Sequence, residues 1–127
     1  MTAALPQDEA AALTAPTATG LSPRAAATLA YAGWWVSGAL FLVIEPVHPF
    51  VRFHARQALL GLGALWLAGA ALWALAFVGV FASVVIFQAA IVGAELIWGA
   101  GVLVWAYSSY QAWQSRWWAM PGITSRK

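Results

Sequence analysis

Apolar residues run almost unbroken through positions 25–44, and again through 58–107, where Ser83, Gln88 and Glu95 are the strongly polar exceptions. As a helix at 1.5 Å per residue the first stretch is about 30 Å long, one hydrocarbon thickness. It follows "LSPR", in which Ser22 suits an N-cap and Pro23 the first helical position, and Glu45 and Pro46 end it. A single helix over the second stretch would measure ~75 Å, more than twice that thickness, so the chain has to turn back once. The turn is predicted at 79–83, where Leu, Ala and Trp give way to Val, Ile and Phe and where Ser83 offers a cap. The pattern therefore predicts an all-α fold, an integral membrane bundle of three transmembrane helices at about 25–44, 51–78 and 84–107. Period-two alternation is absent, which argues against a β-barrel, and the helices lack the polar faces of a soluble bundle.

The remaining segments are tails. Residues 1–22 are rich in Ala, Thr and Pro and carry Asp8 and Glu9 without a basic residue, unlike the charged start of a secretory signal. Such a segment is expected to be disordered or bound to a partner. Residues 23–120 form the predicted membrane domain and 121–127 a C-terminal tail. With three spans, Arg24 lies alone on one side, while Arg52, Arg56, Arg116, Arg126 and Lys127 share the other. The excess of basic residues on cytoplasmic loops then predicts an N-terminus outside, with the first loop and the C-terminus in the cytoplasm of a bacterial inner membrane.

Composition agrees. The chain is 63% hydrophobic and 8% charged, with nine Trp and eleven Gly, against about 25% charged residues in an average soluble domain. A net charge of +2 is too small and too dispersed for nucleic-acid binding. The chain has no cysteine, which excludes disulfides, thiol catalysis and thiolate metal sites.

Candidate chemistry concentrates in "EPVHPFVRFHARQAL", residues 45–59. Arg52 and Arg56 are spaced as neighbours on one helical face, and Glu45 ends the preceding helix within reach of them, so an ion pair pinning this hairpin is expected. Glu45, His48, Phe50, Arg52, Phe53, His54, Arg56 and Gln57 form the predicted contact surface for lipid headgroups or for a partner. As haem ligands His48 and His54 would need each other or a second chain, and no cofactor or metal is expected. Gln88 and Glu95 are polar positions inside the third helix. Glu95 falls near the bilayer midplane, where an ionisable group marks either interhelical hydrogen bonding, contact with another subunit, or a relay. Trp34, Trp35 and Trp66 lie at a similar depth and are its candidate indole partners. No nucleophile with a base, metal-ligand spacing, phosphate loop or carboxylate pair appears, so no enzyme activity and no small-molecule substrate are expected.

The segment "PFVRFHARQAL" is similar to the signature of a widespread bacterial family of small, three- to four-helix membrane proteins of unknown function. That family is distantly related to the channel-like inner-envelope component of the chloroplast protein-import machinery. Phe50, Val51, Arg52, Phe53, His54, Ala55 and Gln57 carry the resemblance, which extends loosely over 29–123 and ends in "YQAWQSRWWAMPGI". It implies a membrane bundle of transport-related ancestry and no defined activity. Two expectations follow: a non-catalytic accessory or assembly subunit of a larger membrane complex, or a channel or protein-translocation component acting as a homo-oligomer.

Overall fold

The computed structural model describes residues 6–120, whose regular elements are all helices, with α1 at Gln7–Thr14, α2 at Pro23–Ala32, α3 at Trp34–Ile44, α4 at Pro49–Gln57, α5 at Gly63–Gly79 and α6 at Val84–Trp113. A π-helical turn, Ala58–Leu62, joins α4 to α5, so that 49–79 is one continuous helix. The predicted tail 121–127 and residues 1–5 lie outside the described residues.

The first predicted span is not one helix. Ser22 caps α2 as expected, its Oγ accepting from the Ala25 N–H at 3.3 Å, with Pro23 in the first position. The helix then stops at Gly33, and Trp34 adopts a left-handed φ of 59°. Ser37 ties the corner: its hydroxyl donates to the Ala30 carbonyl at 2.8 Å and accepts from the Gly33 N–H at 2.8 Å. Those bonds satisfy backbone groups that a continuous helix would have paired itself. The chain reverses there, because Thr19, just before α2, hydrogen-bonds Glu45, just after α3. Ten and eleven residues make two legs of about 15 Å, half a hydrocarbon core each. The prediction of three spanning helices, with the N-terminal segment across the membrane from the first loop, is therefore corrected: that segment and that loop touch.

Two helices, 49–79 and Val84–Trp113, are long and apolar enough to cross a membrane. Only 22% and 17% of their most apolar windows is buried within the chain, unlike the core helix of a soluble protein. Their turn falls where the composition change placed it, with the Ser83 N–H donating to the Gly79 carbonyl at 2.8 Å, although the Ser83 side chain makes no cap bond. The third predicted helix continues past 107 to Trp113.

One end of this hairpin is wrapped and the other is bare. At the wrapped end α2 packs on α4 and the last turns of α6, and α3 on α4 and the π-helical turn, burying Ala27, Tyr31, Phe50, Ala58, Leu62 and Ala112, with Trp34, Trp105 and Trp117 at the edge. A second cluster joins Ala26, Ala30 and Phe41 to Val51 and Ala55. Toward the turn, α5 and α6 have only each other, with Trp98 lying over Gly69 and Ile86 against Gly79, while Leu67, Phe77 and Phe81 are exposed. The expected disorder of the N-terminal tail is also corrected over the described residues. Helix α1 packs Leu13 into the core, and Ala12 is buried.

Helix α3 approaches the long helix closely because Gly38 has no side chain. A Cβ there would lie 2.7 Å from the Ala55 carbonyl oxygen and 2.8 Å from the Leu59 nitrogen, main-chain atoms with no freedom to move aside. At Gly63 the nearest atom, Trp35 Cβ, would be 3.4 Å away, an ordinary contact. Gly38→Ala is expected to cost about 1–3 kcal/mol and to lower the thermal midpoint measured by circular dichroism in detergent. Gly63→Ala should leave it nearly unchanged.

Candidate functional site: a clasp on the chain's two terminal segments

Helix α4 starts with His48 as its cap, Nδ1 accepting the Val51 N–H at 3.4 Å, and Pro49 in first position. The 3.6-residue period then sorts the signature by face. Phe50, Val51, His54, Ala55 and Gln57 point inward and are fully buried, Phe53 is half-buried, and Arg52 and Arg56 are exposed. Most of the residues expected to meet lipid or a partner thus face the interior of their own chain.

What they meet there is backbone. His54 Nε2 lies 2.8 Å from the Arg116 carbonyl oxygen, which can only accept, so Nε2 carries the proton. His54 Nδ1 is then the acceptor for the Tyr31 hydroxyl at 2.8 Å. The Tyr31 oxygen in turn accepts from the Gln57 amide nitrogen at 2.9 Å. That nitrogen also donates to the Trp118 carbonyl at 3.0 Å, and the Gln57 carbonyl oxygen accepts the Met120 N–H at 2.5 Å. The chain of donors and acceptors is complete, and an aromatic wall surrounds it. Phe50, Phe53 and Tyr31 present edges to the His54 ring at 4.8, 5.1 and 5.5 Å, and Trp117 covers Phe50 at 5.1 Å. The Trp105 indole N–H donates to the Tyr31 carbonyl at 2.7 Å.

The beginning of the same stretch does to the N-terminal segment what its end does to the C-terminal one. Glu45, 1% exposed, accepts from the Ala18 N–H at 2.9 Å, the Thr19 N–H at 2.9 Å and the Thr19 hydroxyl at 2.8 Å. His48 Nε2 donates to the Ala15 carbonyl at 3.1 Å. The expected Glu45–arginine pair does not form, since these donors occupy the carboxylate. Arg52 instead donates to the Pro46 carbonyl at 3.4 Å. Burial pushes the Glu45 carboxyl up, but the Ala18 and Thr19 hydrogen bonds and nearby His48 outweigh it and hold the group below its ordinary 4.5.

The intramembrane polar pair behaves differently. Gln88 and Glu95 are exposed on α6, and none of the predicted indoles reaches Glu95. Trp34 packs on Gly101, six residues from Glu95 and about 240° round the helix. Trp35 lies against Trp66, with centroids 5.7 Å apart. With Trp98 these indoles line an apolar groove of about 450 Å³ at the α2–α3 corner. Sequence reasoning missed Tyr31 and Ser37. A buried tyrosine hydroxyl needs a hydrogen-bond partner, and that was the available signal for Tyr31.

Among known proteins, no family model matches this chain, and no solved structure matches it. A UPF0132 membrane protein of Archaeoglobus fulgidus is 25% identical over 103 residues, 81% of this chain and 89% of that protein. Another, from Methanocaldococcus jannaschii, is 33% identical over 104 residues, 82% of this chain and 66% of that protein. The homologues are archaeal membrane proteins. They support placing this chain in an uncharacterised membrane family, and the chain spans about two thirds of the longer relative.

Two outcomes follow from the clasp. His54→Ala leaves the Arg116 carbonyl and the Tyr31 hydroxyl without their partner, a loss of about 1–3 kcal/mol, so trypsin should cut after Arg116 about tenfold faster or more in mild detergent. The carboxylate of Glu45 contributes stability that is complete above its ordinary 4.5 and is lost as the pH falls through its lower folded value. A nitroxide on a cysteine replacing exposed Ala11 should therefore gain mobility by electron paramagnetic resonance only below pH 4.5, and Glu45→Gln should remove that pH dependence.

Proposed function

We propose that the chain is a non-catalytic subunit of a membrane protein complex, set in the cytoplasmic membrane with its wrapped end inside. The observation that carries this reading is the position of Gln88 and Glu95, exposed on a helix long and apolar enough to span a bilayer. A carboxyl and an amide facing hydrocarbon cost several kcal/mol unless another protein pairs with them. The bare hairpin is then a contact surface. The buried polar groups of the signature serve to hold the chain's own termini, and their donors and acceptors satisfy one another. The signature's resemblance to a family with transport-related ancestry fits the setting of a membrane complex.

Orientation follows from charge. Arg24, Arg52, Arg56 and Arg116 are exposed and all lie at the wrapped end, with Arg24 over the Trp113 ring at 4.5 Å. The turn at 79–83 carries no charge. Basic residues gather on the cytoplasmic side, which puts both described terminal segments and the first loop there. Membrane lipid phosphates meet the arginines, with Arg52 and Arg56 as the outward pair of the signature.

Solubilisation of native membranes in mild detergent, followed by native mass spectrometry, tests the reading. The chain should emerge in an assembly heavier than its own 13.5 kDa, and Glu95→Ala should reduce that assembly. Recovery of nothing but the free 13.5 kDa chain would sink it.

A further inference from the structure

The outer face of α6 carries two strongly polar side chains, whereas the exposed face of the other bare helix is apolar throughout. Val85, Gln88, Val92, Glu95, Gly99, Val102 and Ala106 succeed one another at alternating steps of three and four, and every one of them is exposed. That is the 3.5-residue period of a coiled-coil seam. The seam lies roughly opposite Ala90, Ala94, Gly101 and Ser108, the buried side of the same helix. On α5 the exposed positions, among them Leu67, Leu75, Phe77 and Val78, are all apolar, as lipid alone requires. Only α6 breaks its exposed stripe with an amide and a carboxyl, seven residues apart and both on the seam.

The geometry points to a second copy of this chain as the occupant, in a parallel two-fold pair with α6 against α6. This rests on the reading of the bare hairpin as a contact surface and names what it contacts. Two copies inserted in the same orientation and related by an axis along the membrane normal place each seam residue against its own counterpart. A partner of that kind requires side chains that complement themselves. Glutamine does, having a carbonyl acceptor and an N–H donor. Valine packs on valine in the same way. A slip of one turn would set Gln88 and Glu95 against valine and glycine, so the two polar positions fix the register, as a buried polar residue does in a water-soluble coiled coil. Gly99 admits close approach: a Cβ built there meets no atom of its own chain within 4 Å.

The chain contains no cysteine, which makes single-cysteine cross-linking in membranes a clean test. Val92→Cys, Gly99→Cys and Ala106→Cys should form disulfide-linked dimers on oxidation, whereas exposed Ala100→Cys and Leu75→Cys should not. Adding Gly99→Leu to Val92→Cys should abolish the dimer, because the new side chain has room in the single chain and none in the seam. Glu95→Gln should keep it, and Glu95→Ala should weaken it. Equal cross-linking at all five positions overturns the seam. Absence of seam cross-links in a chain that still purifies in a larger assembly overturns the second copy and leaves the subunit reading standing. A chain that neither cross-links nor associates overturns both.

Discussion

The main chain at 15–19 and at 116–120 lies outside helix and strand, so its N–H and C=O groups have no regular ladder to join. Side chains have to supply their partners, and one short stretch supplies them. Glu45 and His48 take the N-terminal segment, while His54 and Gln57 take the C-terminal one. Each bond is worth about 0.5–1.5 kcal/mol net, yet a buried group left alone costs about 1–3. The arrangement is therefore stronger as a constraint than as a sum of attractions. It explains why a chain so poor in polar residues groups several of them here. It also sets the positions of α1 and of the α2–α3 corner, because Tyr31 on α2 is the bridge between His54 and Gln57.

The long-range apolar pattern revealed the two long helices, their turn at 79–83 and the cap at Ser22, because length, composition and local chemistry determine those features. It did not reveal the break at Gly33. Hydropathy is blind to direction, and a twenty-residue apolar run reads alike whether it crosses a membrane once or folds in half. The corner depends on Ser37 reaching back to Ala30, a contact seven residues away that no period announces. The signature was visible as an anomaly, and the outward spacing of Arg52 and Arg56 was correct. The inward residues read as contacts for lipid or a partner because nothing in the pattern announces that residues 15–19 and 116–120 fold back onto them. Depth alone puts Glu95 among tryptophans, and depth does not fix the face of a helix.

The arginines acquire a simpler meaning in this fold than in a three-span bundle. A bundle of three spans would have left Arg24 on the far side from the others. The reversal at Gly33 returns it to them, so the charge asymmetry of the chain and the architecture agree. The archaeal membrane relatives match over most of this length, and the same distribution of charge can be sought in them residue by residue.

The half-length α2–α3 pair gives the molecule an uneven outline. At the wrapped end four helices stand side by side, and near the 79–83 turn only two remain. With helices about 10–12 Å across, that is roughly twice the cross-sectional area at one end. In a bilayer such a body is a wedge. It displaces more lipid from the leaflet holding α2 and α3 than from the other, and the lateral pressure of the two leaflets acts on it unequally. The area that each leaflet must yield to the chain therefore differs between its two ends.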